Sequence, residues 1–299
     1  MDIGFIGLGK MGSGMASNLL QWSKTHGYKL RVLDINQEAV DSLVAEGAID
    51  GESVANLVQR CSILFTSLPT AKEINAVALG EEGIFANIET LDVWFETSTN
   101  ALSDWEALKA QAPHGLVMVD APVTGGSEGA QAGTLTMLVG GKRCVLDRYE
   151  DVLSAFTAKR VEMGPSGAGY VGKLCQLHLN YLVAQGIGEA LMLGKQADLD
   201  LDTLWDVLKN SCASSYVVES YVPKVLDGSY DPSFTLALAT KDMRLISELG
   251  AHLTVPLELG DKVYSSYEEA LSKYGNDAPH LSVVRLVEDQ TGSHLRREL

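Results

Sequence analysis

The amino-acid sequence predicts an α/β protein in two parts: a doubly wound parallel sheet, then an all-α domain hung on a long connecting helix. Two observations carry this expectation. Short apolar runs alternate with segments of helical period through the first half, the pattern of a parallel sheet with helices on both faces. Beyond Gly164 the alternation stops and helical periodicity takes over. A chain of 299 residues has room for two domains of ordinary size. The change of pattern divides them into residues 1–163 and 164–299.

Each element has its own signal. Residues 3–6 read as a buried strand, followed by helix over 11–23. A second strand, 30–33, ends at Asp34, and 37–45 is helical with Ala39, Val40, Leu43 and Val44 on its apolar face. A third apolar run, 62–68, is stopped by Pro69, and strands follow at 93–96 and 116–119. In the second half one long helical pattern covers 170–195, broken only by Gly186 and Gly188. Helical segments then include 204–209, 241–250 and 257–273, with turn chemistry confined to 227–232.

Hydrophobic residues make up 46% and charged residues 21%, enough to bury a core. The net charge of −16 and a pI near 4.7 argue against nucleic acid or an anionic membrane as partner, since a phosphate-repelling surface forfeits the counterion-release contribution. Cys61, Cys144, Cys175 and Cys212 are widely spaced, fitting neither a disulfide framework nor a zinc site, and are expected as buried thiols in a reducing cytoplasm. The six histidines, among them His26, His178 and His280, form no ligand pair at helical spacing, so no metal is expected. The chain opens directly into a strand pattern and holds no apolar stretch long enough to cross a bilayer. A cytoplasmic protein is expected.

Gly7-Leu8-Gly9-Lys10-Met11-Gly12 follows a strand and opens a helix, which gives this spacing its meaning. Gly7 permits a tight turn, Gly9 lets the backbone approach a pyrophosphate, and Gly12 lets the helix pack closely on the strand. The helix N-terminus offers N–H groups and the positive end of its dipole to phosphates. Asp34 ends the second strand at the distance expected for a ribose-binding carboxylate. The domain is therefore expected to be of Rossmann type. Asp34, with no arginine nearby, favours NAD over NADP, whose 2′-phosphate it would repel. FAD and S-adenosylmethionine use similar turns, but the helical second half speaks against them.

Asp120-Ala121-Pro122-Val123-Thr124-Gly125-Gly126 follows the 116–119 strand, at the sheet end where ligands bind in open α/β folds. Thr124 and the N–H groups of Gly125 and Gly126 make a nest for a carboxylate, although such a run also occurs as an ordinary turn. Gly164-Pro165-Ser166-Gly167-Ala168-Gly169 then precedes Lys173 in the first turns of the long helix.

The glycine turn, the DAPVTGG segment, the GAGYVGK segment and Lys241-Asp242 together resemble the β-hydroxyacid dehydrogenase family, in order and across essentially the whole chain. That family includes 3-hydroxyisobutyrate dehydrogenases, tartronate semialdehyde reductases, sulfolactaldehyde reductases and, more remotely, 6-phosphogluconate dehydrogenases. The resemblance implies an NAD-dependent oxidoreductase acting on a small anionic β-hydroxy acid or its semialdehyde. By it, Lys173 falls on the catalytic lysine, and Thr124, Gly125 and Gly126 fall on the substrate-carboxylate loop. Leu68 and Pro69 match the loop over the cofactor, and Thr99 matches a threonine near the nicotinamide ribose. Lys241 matches a lysine reaching the cofactor from the second domain, while Leu8 and Met11 lie in the phosphate turn with its glycines. Oxidising a carbinol needs a base for the hydroxyl proton, and the positive end of the helix favours a neutral lysine there.

One position departs from the family pattern. A carboxamide usually stands four residues after the lysine, and often another three after it; here these are Leu177 and Gln176. Gln176 shares the lysine's helix face and is expected to take over the role. An imine reductase or a catalytically inactive cofactor-binding interaction protein shares this architecture, but such relatives usually replace the lysine. Ser211–Tyr216 and Phe234 are expected along the far side of the substrate pocket, or as plain core. The long helix carries Leu174, Leu177, Leu179, Leu182, Val183, Ile187, Leu191 and Leu193 on several faces, which predicts a homodimer or homotetramer through the helical half.

Overall fold

The structure, a computed structural model, describes residues 2–297. Its sheet begins with β1 (Asp2–Ile6), which lies between β2 (Lys29–Leu33) and β4 (Cys61–Thr66), both parallel to it. The order continues outward through short β3 (Ile49–Asp50) beyond β2 on one side. On the other side come β5 (Val93–Glu96), β6 (Val117–Asp120), β8 (Leu135–Gly140) and β7 (Val123–Thr124), with β9 (Thr157–Gly164) paired to β8. Strands β1 to β6 are parallel, β8 runs antiparallel to β6 and β7, and β9 is parallel to β8. The architecture is the Rossmann-type sheet the sequence predicts.

Alternation within each strand feeds two cores, one on each face. Ile3, Phe5, Ile63, Phe65, Val93 and Phe95 point into one; Ile6, Leu64, Trp94 and Met118 point into the other. Phe5, Phe65 and Phe95 are register partners on adjacent strands and stack at 6.1 and 5.3 Å between ring centres. Each is fully buried, worth about 1.5–3 kcal/mol relative to exposure. This ladder lies one residue below the strand ends that matter for function.

Several expectations need correction. β8 and β9 were not legible as strands. β8 has an ordinary apolar run, but it follows a glycine-rich stretch, and β9 carries Lys159, Arg160 and Glu162, so its period is obscured. Charge on a strand at the margin of a sheet protects it from pairing with another chain. Gly186 and Gly188 do not break the long helix α8 (Ala168–Gln196), which runs unbroken for 29 residues. A Cβ on Gly188 would stand 3.1 Å from Val284 Cγ1, so that glycine serves close packing. Of the four cysteines only Cys61 is buried.

The chain divides into two compact units, Met1–Lys173 and Leu174–Leu299. The second contains the rest of α8, then α9 (Leu201–Lys209), α10 (Tyr216–Leu226), α11 (Leu236–His252), α12 (Glu258–Tyr274) and α13 (Arg285–Thr291). α10 was missed in the sequence; Ser215 caps it by accepting from the Val218 N–H at 3.1 Å, and Val217, Val218, Val222 and Val225 bury one face. Among the described residues no helix is long and apolar enough to cross a membrane.

Candidate active site

The sheet sets its strand ends in one row. Leu33, Ile6, Thr66, Glu96 and Asp120 are successive register partners across β2, β1, β4, β5 and β6. The residues that follow each of them carry nearly all the site residues expected in the first unit. β1 is the strand from which the order runs both ways, and ligands of such sheets bind at that switch point.

After Ile6 the chain turns at Gly7, whose φ of 97° suits glycine. The Gly7 N–H donates to the Leu33 carbonyl at 2.9 Å, which joins this turn to the end of β2. Helix α1 (Gly12–His26) then packs so tightly that a Cβ on Gly12 would lie 1.9 Å from the Gly7 carbonyl oxygen. The Asp34 carboxylate accepts from the Leu8 N–H and, at 2.7 Å, from the Asn36 N–H, so it is fixed beside the turn. No side chain caps α1 and no acidic residue occupies its first turn. Above Gly9 a Cβ would meet nothing within 4 Å. An uncapped helix end, open space over one glycine and a fixed acid beside it fit a dinucleotide's pyrophosphate and ribose.

Leu68 and exposed Pro69 follow Thr66, and Thr97, Ser98 and half-buried Thr99 follow Glu96. The two loops are joined, because the Leu68 N–H donates to Ser98 Oγ at 2.7 Å and Thr97 Oγ1 donates to the Thr66 carbonyl at 2.7 Å. Beyond Asp120, Thr124 sits in β7 opposite Thr136, and exposed Gly125 and Gly126 have φ of 132° and 67°, a turn only glycine makes easily. The short helix α6 (Gly126–Ala132) starts there and packs on α1; Asn18 Nδ2 donates to the carbonyls of Gly14 and Ala130, both at 2.9 Å. The dinucleotide turn and the glycine nest are thereby held together through two helices.

Two acids at strand ends, Glu96 and Asp120, organise the start of α8. Asp120 is fully buried and accepts from the N–H groups of Gly167 at 2.7 Å, Gly169 at 2.8 Å and Tyr170 at 3.4 Å. Burial pushes its carboxyl up to about 6, against these donors, which pull it down. Glu96, also fully buried, accepts from Ser98 Oγ, the Ser98 N–H, Thr66 Oγ1 and the Tyr170 hydroxyl. Burial raises its carboxyl too, and burial beside Glu96 holds the Tyr170 hydroxyl far above its ordinary range, so it stays protonated. The signal available in the sequence was an acid closing an apolar central strand, twice.

Lys173 lies in the second turn of α8 and is only 8% exposed. The helix-end field expected to act on it is offset by the Asp120 carboxylate seated on that same end. In the second unit, α8 continues with half-buried Gln176 and buried Leu177. There, on α11, Lys241 Nζ stands 2.9 Å from Asp242 Oδ1, and the Tyr181 hydroxyl donates to Asp242 Oδ2 at 3.0 Å. Tyr216 is 73% exposed, which excludes it from the core of this unit. Among the described residues no cluster of histidine, cysteine and acids has the form of a metal site.

This sheet, with its open helix end and glycine turns, has the form of a dinucleotide-binding domain. Comparison with known proteins narrows the class. A sequence model of the NAD binding domain of 6-phosphogluconate dehydrogenase matches residues 2–164, and one of the NAD-binding region of NADP-dependent 3-hydroxyisobutyrate dehydrogenase matches 167–287. An NAD-dependent L-serine dehydrogenase of Pseudomonas aeruginosa is 34% identical over 298 residues, covering 97% of this chain and 98% of that one. The 3-hydroxyisobutyrate dehydrogenase of the same organism is 32% identical over 252 residues, covering 82% and 83%. A solved structure of Mycobacterium tuberculosis 3-hydroxyisobutyrate dehydrogenase with L-serine has a TM-score of 0.86 at 26% identity, covering 96% and 98%. The chain belongs to the β-hydroxyacid dehydrogenase family, and its cofactor is NAD.

Proposed function

We propose that the chain moves a hydride between NAD and a small β-hydroxy acid of 3-hydroxyisobutyrate or serine type, or works in reverse on the corresponding semialdehyde. Lys173 is the general acid and base. The observation that carries this reading is the burial of Lys173 in the same unit as the cofactor turn and the Thr124-Gly125-Gly126 nest. A buried lysine on a rigid helix is suited to proton exchange with a hydroxyl.

In this reading Gly7, Leu8, Gly9, Met11 and Gly12 hold the pyrophosphate and Asp34 holds the adenine-side ribose. Leu68, Pro69 and Thr99 border the nicotinamide half, and the family resemblance is what assigns Lys241 to the cofactor. A nicotinamide held by these residues would supply or accept the hydride. The Thr124 hydroxyl and the Gly125 and Gly126 N–H groups hold the substrate carboxylate, which places the β-hydroxyl for Lys173. As the carbinol is oxidised, its hydroxyl proton passes to the neutral amine of Lys173; in the reductive direction the ammonium returns it. Gln176, one helical turn further on, orients the same hydroxyl in place of the carboxamide that Leu177 cannot supply.

The relatives' substrates suggest the compounds to try. A panel of L-serine, 3-hydroxyisobutyrate and other small β-hydroxy acids, with NAD and absorbance of the reduced nicotinamide as readout, tests the reading. Turnover with at least one member is expected, and no turnover with any hydroxy acid or semialdehyde refutes it. We also propose self-association through the helical unit. Leu179 and Leu193 on α8 are 64% and 74% exposed, and Leu253, Val255 and Leu259, from the end of α11 to the start of α12, are exposed as well. Light scattering at micromolar concentration is expected to give a dimer or tetramer, and a monomer contradicts this.

A further inference from the structure

Glu96 and Asp120 are register partners at the ends of neighbouring strands, both fully buried, and both hold the beginning of α8. They hold it differently. Asp120 takes backbone N–H groups, which lie near the helix axis and fix where the helix starts. Glu96 takes the hydroxyl of a side chain, Tyr170, well off that axis. An off-axis tether resists rotation and tilt, which a backbone cap alone does not.

The donors into Glu96 come from every side of the cofactor loops. The Leu68 N–H donates to Ser98 Oγ at 2.7 Å, and Ser98 Oγ donates onward to Glu96. Trp94 Nε1 donates to Thr66 Oγ1 at 2.8 Å, which donates onward to Glu96 at 3.3 Å. The Tyr170 ring is held separately, edge-on to Trp105 with centres 5.5 Å apart. Lys173 follows Tyr170 by three residues and so shares its side of the helix.

We infer that Glu96 and Tyr170 are positioning residues for Lys173: their buried hydrogen bond ties the first turn of α8 to the loop bearing Thr99 and so fixes the lysine against the strand ends. The inference rests on Lys173 being the acid and base. A misplacement of about 1 Å in a reacting group costs on the order of a hundredfold in rate, so even a small rotation of α8 is felt in turnover.

The test is a double-mutant cycle on kcat, with the NAD dissociation constant read from tryptophan fluorescence. Tyr170→Phe keeps the ring and removes the hydroxyl; it is expected to lower kcat about tenfold or more while NAD affinity stays within about twofold. In a Lys173→Ala background the same substitution is expected to have no further effect, because the group it positions is gone. Glu96→Gln, whose carboxamide still accepts from Ser98 and donates to the Tyr170 oxygen, is expected to keep kcat within about threefold. Wild-type kcat in Tyr170→Phe, an equal loss in both backgrounds, or a Glu96→Gln enzyme as slow as Tyr170→Phe overturns the inference. An inactive Lys173→Ala beside an unaffected Tyr170→Phe defeats this inference alone. A fully active Lys173→Ala defeats the acid–base reading beneath it as well.

Discussion

Two helices begin at the same end of the sheet, α1 after β1 and α8 after the long excursion that follows β6, and they treat their N-termini in opposite ways. The start of α1 has no side-chain cap, no acid in its first turn and open space over Gly9. The start of α8 is filled by the Asp120 carboxylate, with Glu96 holding Tyr170 beside it. An open helix end is a place for a ligand's phosphate; a closed one is an anchor. On the proposed function, this difference fits cofactor binding at the first helix and rigid presentation of Lys173 by the second. Substitutions at α1 should therefore change NAD affinity, and substitutions along α8 should change turnover.

The comparison breaks most visibly at Gly12. A Cβ there would meet the Gly7 carbonyl oxygen at 1.9 Å. Overpacking costs about 1–3 kcal/mol, and so close an approach to backbone belongs at the top of that range. Gly12→Ala is expected to weaken NAD binding about a hundredfold, measured by fluorescence titration. Unchanged affinity would mean that α1 is not the phosphate-binding helix.

The two helix ends also differ in how far the sequence disclosed them. The α1 end was legible because its requirements are local: glycines within six positions, and an acid closing the next strand. The α8 end was not, because Asp120 and Glu96 act on residues 47 to 74 positions away, and nothing in the spacing shows such a pairing. The same distance hides the acid at the helix end before Lys173. The helix dipole was expected to favour a neutral amine, but the carboxylate that offsets it comes from a remote strand. β9 was missed because its charged residues erase the strand period, whereas the parallel core strands were plain as apolar runs.

Smaller effects sharpen the comparison. Asp34→Ala removes the carboxylate that is fixed by the Leu8 and Asn36 N–H groups. Hydrogen bonds to a charged group are worth about 1.5–3 kcal/mol, so kcat/KM for NAD should fall at least tenfold and the preference over NADP should narrow. Equal use of NAD and NADP by the unaltered protein would contradict the role given to Asp34. On α8, Gln176→Leu is expected to lower kcat roughly tenfold with little change in NAD affinity. If Leu177→Asn instead alters substrate preference while Gln176→Leu does little, the carboxamide role does not belong to Gln176.

The smallest effect is on stability. The folded protein raises the Asp120 carboxyl from 3.8 to about 6, so the fold favours its neutral form. The contribution of this group is then fully present below about pH 4 and is lost as pH rises through about 6. A rise from 3.8 to about 6 corresponds to about 3 kcal/mol at most, with the opposing pull of the backbone donors already included. Urea unfolding between pH 4 and pH 7 should show this slope in the unaltered protein and a flatter one in Asp120→Asn. Identical slopes would mean that Asp120 does not titrate in this range.

Central to the account is a division of labour in which the first helix binds NAD and the second presents the acid and base. Lys173→Ala tests it most directly, with kcat and the NAD dissociation constant measured on one preparation using whichever hydroxy acid the panel identifies. A positioned proton-transfer group contributes about 10²–10⁴-fold, so kcat should fall by at least a hundredfold while NAD affinity stays within about twofold. A variant that keeps more than about a tenth of the original kcat, or that loses NAD affinity in proportion to its activity, contradicts the account.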